Sequence, residues 1–283
     1  MNIETIGVVG AGQMGSGIAQ VAASAGFNCL ICDNKEEALL KSQKTIDLSW
    51  EKLKSKGLIN DVTARKKLLS WHKDLKALSS CDLVIEAIVE QEGAKKELLS
   101  MLDEILIKKD AILASNTSSI SITRLASSTK RPEQFIGMHF MNPVPLMKLV
   151  ELIRGARTSE NTLKIIEAVV ARLGKISTVA LDFPGFICNR ILMPMINEAF
   201  FALMEGVGNA KDIDLSMKLG CNFPMGPLEL ADFIGLDTCL YITEVLHKGL
   251  GEDKYRPCPL LRNYVEAGKL GRKSGEGVFK YAT

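Results

Sequence analysis

Short apolar runs and stretches of 3.6-residue periodicity alternate through the first 180 residues. Thr5–Val9 reads as a buried strand, Met14–Ala25 as a helix closed by Gly26, and Asn28–Cys32 as a second strand. Val84–Ala87, Ala111–Ala114, Phe135–Met138, Lys148–Leu152 and Ile176–Val179 follow in the same style, with helical stretches between most of them. Strands that alternate with helices imply parallel pairing through right-handed crossovers, because a parallel neighbour needs a long connection. The predicted fold is α/β, a mostly parallel sheet.

The alternation is interrupted once. Glu36–Lys56 and Asp61–Leu69 read as two helices joined at Gly57, a helical hairpin inserted at about residues 36–70. Residues 35–76 carry eleven Lys or Arg against six Asp or Glu, a local net of +5. Such a segment is either a solvated arm or a clamp for the phosphates of a large polyanionic ligand. After Leu181-Asp-Phe-Pro-Gly185 the style changes again. Ile187–Glu205, Asp212–Leu219, Pro227–Ala231, Thr238–His247 and Leu260–Ala267 read as helices, so an all-α C-terminal domain is expected at 185–283 after a sheet domain at 1–184. Phe200, Phe201, Leu203 and Met204 offer more apolar surface than so small a core hides. They point either to a subunit interface or to packing on the first domain.

Composition narrows the class. Over 283 residues, 47% are hydrophobic and 24% charged, which excludes disordered, collagen-like and disulfide-scaffold chains. A net charge of +2 provides no field to gather nucleic acid or an anionic membrane. No apolar run reaches the ~18 residues of a membrane span. A strand pattern beginning at Ile3 leaves no room for a secretory signal, so a soluble, cytoplasmic protein is expected. Seven cysteines, an odd number without framework spacing, imply reduced thiols. Cys29 and Cys32 match C-x-x-C, but on a strand they face opposite sides and read as small core hydrophobes.

Gly10-Ala-Gly12-Gln13-Met14-Gly15 is G-x-G-x-x-G placed between a strand and a helix. The first glycine permits the tight turn, the second lets a pyrophosphate approach the backbone, and the third lets helix and strand pack closely. The helix N-terminus offers N–H groups and a positive dipole end to the phosphates. Asp33 follows at the end of the second strand, where a carboxylate can accept the ribose 2′-OH. It would repel a 2′-phosphate, so NAD is favoured over NADP, though Lys35 softens that preference. The first domain is therefore expected to be a Rossmann-type NAD-binding domain.

Of three histidines, His72 and His247 read as structural or solvated. His139 ends a strand and enters Phe140-Met-Asn142-Pro143-Val-Pro145, whose prolines open a loop. Ligands of open parallel sheets bind beyond the carboxyl ends of strands. Glu151 lies on the strand that follows and could return beside His139, where a carboxylate holds one imidazole tautomer and stabilises the imidazolium. It could also be a surface acid at a strand end. Ser115-Asn-Thr-Ser118-Ser119 follows another strand at the same edge, either as a helix cap or as a set of hydroxyls facing a substrate. Asn189 opens the helical domain and could point into a cleft between the domains.

Taken in order, seven segments resemble the 3-hydroxyacyl-CoA dehydrogenase family: Gly10–Gln20, Glu86-Ala-Ile-Val-Glu90, Ser115–Ser119, His139–Pro145, Pro184–Arg190, Gly226–Asp232 and Gly271–Gly277. The resemblance implies interconversion of (S)-3-hydroxyacyl-CoA and 3-oxoacyl-CoA with NAD, the expected pair being 3-hydroxybutyryl-CoA and acetoacetyl-CoA. It implies His139 as general base and Glu151 as its partner, with Ser118 and Asn189 binding the reacting oxygen and orienting the substrate. Gly10, Gly12, Gln13, Met14, Gly15, Asp33, Glu90, Lys95, Ser118, Asn142 and Lys273 would line the cofactor site. Ser49, Lys56 and Ser118 would meet coenzyme A, which favours the clamp reading of the arm. It also implies a homodimer through the C-terminal helices.

Two residues depart from the family pattern. Gln91 stands where asparagine is common, and Gly93 weakens a helix by ~1 kcal/mol relative to alanine. The chemistry itself needs no metal, because proton transfer to His139 neutralises the oxygen. A related two-domain dehydrogenase of a free hydroxy acid or polyol acid is the alternative. A nucleotide-binding regulator without catalysis would not need His139, Glu151, Ser118 and Asn189 together.

Overall fold

A computed structural model describes residues 2–281. The chain divides into two compact units, one ending at Phe183 and the other beginning at Pro184. Among the described residues the first unit holds an eight-stranded sheet in the order β3-β2-β1-β4-β5-β6-β7-β8. Its elements are β1 (Thr5–Val9), α1 (Gln13–Ser24), β2 (Asn28–Cys32), α2 (Glu36–Ser55), α3 (Val62–Lys66), β3 (Leu69–His72), β4 (Leu83–Glu86), α4 (Glu92–Ile105), β5 (Ile112–Ser115), α5 (Ile122–Ala126), β6 (Phe135–Phe140), β7 (Leu149–Arg154), α6 (Glu160–Arg172) and β8 (Ile176–Leu181). The strand order reverses direction between β1 and β4, which is the switch point of a doubly wound, Rossmann-type sheet. Strands β4, β5 and β6 are buried along their whole length, as the apolar runs require of strands covered on both faces.

One pairing breaks the parallel rule. β6 and β7 run antiparallel. The eight residues between them are too few for a crossover, so the chain can only turn back on itself. This reversal brings His139 opposite Glu151.

The insertion differs from the sequence expectation in its second half. Helix α3 stops at Lys66, and Leu69–His72 forms an edge strand parallel to β2 instead of continuing the helix. Leu69, Ser70, Trp71 and His72 alternate apolar and polar as a half-buried strand does, but over only four residues, and pairing with Cys29–Cys32 supplies the rest. Nor does α2 stand away in solvent. Leu39, Ser42, Ile46 and Trp50 recur at helical spacing and are buried. Polar contacts pin the same face to α1. Ser16 Oγ donates to Ser42 Oγ at 2.8 Å, Gln20 Nε2 to Ser49 Oγ at 2.8 Å, and Trp50 Nε1 to Ser24 Oγ at 3.1 Å. Lys41, Lys44, Lys52, Lys54 and Lys56 remain on the exposed side.

The second unit comprises, among the described residues, α7 (Cys188–Met204), α8 (Ala210–Gly220), α9 (Pro227–Ile234), α10 (Leu236–Leu250) and α11 (Pro259–Glu266). Met193, Ile196, Phe200, Leu228, Leu236 and Leu261 form its own core. Phe200 is fully buried there, edge-on to Tyr264, so of the apolar quartet it serves the fold, whereas Met204 is 42% exposed. Asp232 is the unit's polar anchor. Its carboxylate accepts the Val278 and Phe279 N–H groups and the Tyr281 hydroxyl, each at 2.9 Å. A Cβ at Gly277 would lie 2.0 Å from that carboxylate, so the last glycine of the Gly271–Gly277 segment makes room for the last acid of the Gly226–Asp232 segment.

The seven cysteines are free thiols among the described residues. Cys29 and Cys32 are both buried, and burial pushes the Cys32 thiol up to about 11, which leaves it unreactive at neutral pH. No helix among the described residues is long and apolar enough to cross a membrane.

Candidate active site

The glycine loop joins β1 to α1 at the switch point. Gly10 adopts φ +103°, and a Cβ there would sit 2.6 Å from the Ala87 carbonyl oxygen. A Cβ at Gly15 would sit 1.8 Å from the Gly10 carbonyl oxygen. These two glycines are thus demanded by the protein itself. Gly12 is different, because a Cβ there would meet nothing within 4 Å. Gly12 is also the N-cap of α1 and contributes no side-chain cap. Its bareness leaves the backbone open to a ligand at a helix N-terminus.

Asp33 closes the loop from the end of β2. Its Oδ2 accepts the Ala11 N–H at 2.8 Å and its Oδ1 accepts the Lys35 N–H at 2.9 Å, so the carboxylate is held in one orientation. A cleft of about 690 Å³ opens beside it, lined among others by Gly10, Asp33, Ile88, Leu98 and Met101. Its size and apolar walls suit a nucleoside. On the other side of the loop, Gln13 Nε2 donates to Asn142 Oδ1 at 3.0 Å, which joins α1 to the segment between β6 and β7.

His139 and Glu151 face each other across β6 and β7. His139 Nδ1 lies 2.8 Å from Glu151 Oε2, and both residues are buried. An ionised carboxylate only accepts, so Nδ1 carries a proton and donates it to Glu151. The bland alternative for Glu151, an exposed acid at a strand end, is excluded by its 1% exposure. The loop between the two strands is tied down by Lys175, whose Nζ donates to the Val144 and Met147 carbonyls at 2.7 and 2.6 Å.

The Ser115–Ser119 loop is bound to the same end of the sheet. Asn116 Oδ1 accepts the Phe140 N–H at 2.9 Å, next to His139. Glu90 Oε1 accepts the Thr117 hydroxyl at 2.5 Å and both the N–H and the hydroxyl of Ser118 and of Ser119, at 2.9–3.2 Å. Its Oε2 lies 3.3 Å from the Lys95 ammonium. Burial pushes the Glu90 carboxyl up, but the Lys95 charge and the Thr117 and Ser118 donors outweigh it and hold the group below its ordinary value. Lys95 itself is 1% exposed and paired at 2.6 Å with Glu86, which is wholly buried. Its ammonium is enclosed by Glu86, Glu90 and the Ile88 carbonyl oxygen.

Ser49 lies on α2, and Lys56 follows directly as its C-cap. In the second unit, Asn189 is buried in the first turn of α7. Lys273 follows Gly271 on a short turn and donates to Asp237 Oδ2 at 2.6 Å. Among the described residues, no group of three or more His, Cys, Asp or Glu side chains is arranged to hold a metal ion.

Sequence reasoning missed Glu86, Asn116 and Lys175. Glu86 left a signal, since an acid ending the apolar run Leu83-Val-Ile-Glu86 must be buried with the strand. Lys175 left none, because its partners are carbonyl oxygens about thirty residues away.

Residues 5–183 match the family described as the NAD binding domain of 3-hydroxyacyl-CoA dehydrogenase, and residues 185–281 match its C-terminal domain. The chain is 58% identical over 279 residues to a probable 3-hydroxybutyryl-CoA dehydrogenase of Deinococcus radiodurans, covering 97% of this chain and 99% of that protein. It is 55% identical to the 3-hydroxybutyryl-CoA dehydrogenase of Bradyrhizobium diazoefficiens, covering 99% and 96%. The crystal structure of an (S)-3-hydroxybutyryl-CoA dehydrogenase of Ralstonia eutropha superposes over the whole of both chains, with a TM-score of 0.97 and 47% identity.

Proposed function

The chain belongs to the 3-hydroxyacyl-CoA dehydrogenase family, and on that premise we propose the reaction and the residues that carry it. It is an NAD-dependent 3-hydroxybutyryl-CoA dehydrogenase. The proposed substrate pair is (S)-3-hydroxybutyryl-CoA and acetoacetyl-CoA. The observation that carries the mechanism is the buried contact of His139 Nδ1 with Glu151.

NAD supplies the acceptor for the hydride that leaves C3 of the alcohol. His139 takes the hydroxyl proton on Nε2 as the carbonyl forms. Glu151 stabilises the imidazolium that results and keeps the ring from turning. In the reverse direction the same imidazolium returns its proton to the ketone oxygen. Ser118 and Asn189 bind that oxygen and orient the thioester. Ser49 and Lys56 are assigned to coenzyme A. The exposed ammonium of Lys56 suits a phosphate, and Gln20 donates to Ser49 so that the serine's own proton is directed elsewhere.

The fit to NAD rests on the bare backbone at Gly12, the cleft beside Asp33 and the two bonds that hold its carboxylate. An oriented carboxylate accepts a ribose hydroxyl and repels a 2′-phosphate, so NAD is preferred to NADP. Gln13, Met14, Glu90, Asn142 and Lys273 complete the proposed cofactor site. A homodimer is assigned to the helical unit, where Ile191, Leu219 and Phe233 are 68%, 76% and 49% exposed.

The test is His139→Gln. It should lower kcat at least about a thousandfold while NADH still binds with its wild-type affinity. Retained turnover would reject His139 as the base.

A further inference from the structure

The charged pair beneath the site is not accounted for by substrate or cofactor contact. Glu86 is 0% and Lys95 1% exposed, at the end of a central strand and within α4. Removing an ion from water costs several kcal/mol, and a buried pair is often no more stabilising than apolar residues of the same volume. Such a pair stabilises the fold weakly, so its geometry is the informative part.

Glu86 branches. Its Oε1 accepts Lys95 Nζ at 2.6 Å and the Ile88 N–H at 2.7 Å, while its Oε2 accepts Ser115 Oγ at 2.6 Å. One branch leads to Ser118 and the other to its neighbour Thr117. Through Lys95 it reaches Glu90 Oε2 at 3.3 Å, and Glu90 Oε1 holds Thr117, Ser118 and Ser119. Through Ser115 it reaches the Thr117 N–H at 3.2 Å. The sheet register makes both paths possible, because β4 lies between β1 and β5 and Glu86 is paired with Val9 on one side and Ser115 on the other.

We infer that Glu86 is a positioning residue of the active site, whose carboxylate fixes Lys95 and Ser115 together and so sets the place of the Ser118 hydroxyl. The inference rests on the reading above, in which Ser118 touches the substrate. Without the Glu86 charge, the Lys95 ammonium has Glu90 as its remaining carboxylate partner within 4 Å. It then draws Glu90 away from the serine loop, and the loop loses its anchor at both ends.

A double-mutant cycle in the full chain tests this, with acetoacetyl-CoA and NADH, on wild type, Glu86→Gln, Ser118→Ala and the combination. Glu86→Gln keeps the shape and removes the charge. It should lower kcat about tenfold on the wild-type background and less than about twofold on the Ser118→Ala background, as residues of one network do. Additive losses would show that Glu86 serves the fold alone and would overturn the inference, as would an unchanged kcat in Glu86→Gln. Ser115→Ala cuts the second branch and gives an independent cycle if Glu86→Gln does not fold. It should cost about threefold on the wild-type background and nothing after Ser118→Ala, and additivity there would equally overturn the inference. A wild-type chain without turnover would reject the functional reading and the inference with it. An active wild type with additive variants rejects the inference alone.

Discussion

His139 and Glu151 are directly opposed residues of β6 and β7, with Nδ1 and Oε2 2.8 Å apart, in a sheet whose other pairings among the described residues are parallel. The antiparallel turn makes them cross-strand neighbours although twelve positions separate them. Both are rigid strand residues, so the contact needs no loop to order. Glu151→Gln retains the size of the side chain and removes its charge. It should lower kcat by about a hundredfold, within the usual range for general acid–base groups, and leave the Kd for NADH within about twofold. Steady-state rates beside a fluorescence titration of NADH check this. Parallel loss of both would assign Glu151 to the fold.

Asp33 should govern the choice between cofactors. Asp33→Ser removes the charge that repels a 2′-phosphate and keeps a hydrogen-bonding group. The ratio of kcat/KM for NADH over NADPH should fall at least about tenfold. An unchanged ratio would mean that discrimination lies elsewhere in the cleft.

Lys175 holds the segment that links His139 to Glu151 and carries Asn142. Lys175→Met leaves the Val144 and Met147 carbonyls without their donor and should destabilise the chain by about 1–3 kcal/mol. Urea unfolding measures that loss. The KM for NADH should rise as Asn142 loses its fixed place, and a normal KM in a destabilised variant would confine Lys175 to the fold.

How far such features can be read from sequence depends on the range of the interaction. The glycine loop, Asp33 and the apolar runs of β4, β5 and β6 are local patterns, and each is visible in a window of a dozen residues. The meeting of His139 and Glu151 was legible because both lie on short strands joined by a proline-containing loop. β3 was not legible. Its apolar-polar alternation lasts only four residues directly after a helical stretch, and what fixes it as a strand is pairing with β2, forty residues earlier. The roles of Glu86 and Asn116 depend on which strands become neighbours, a property of the sheet order and not of either segment. Gly93 is a local feature of another kind. It lies in the first turn of α4 and a Cβ would meet nothing within 4 Å. Gly93→Ala should therefore raise stability by about 0.5 kcal/mol with no change in kcat, readable from the shift in urea midpoint.

Tyr281 gives a pH dependence of definite sign. Burial first, and then the hydrogen bond to Asp232, push its phenol up to about 12. Because the folded value lies above the unfolded one of about 10, the contribution of Tyr281 is fully present below pH ~10 and is lost as the pH rises toward about 12. Tyr281→Phe should be less stable than the wild type at neutral pH and lose that difference across this interval. Asp232→Asn, which breaks the charge-assisted bonds to Val278, Phe279 and Tyr281, should cost about 3 kcal/mol and leave the segment that bears Lys273 open to proteolysis. Unfolding free energies measured over the alkaline range check the first, and limited proteolysis the second.

The activity proposed is hydride transfer between NAD and a 3-hydroxyacyl thioester, with coenzyme A itself recognised. Its most direct test follows the loss of NADH absorbance when the purified chain meets acetoacetyl-CoA, with free acetoacetate and with NADPH run in parallel. Rapid oxidation of NADH by the thioester, with little by the free acid and little from NADPH, is the predicted result. Equal turnover of free acetoacetate, or none of the thioester by a chain that binds NADH, would contradict it.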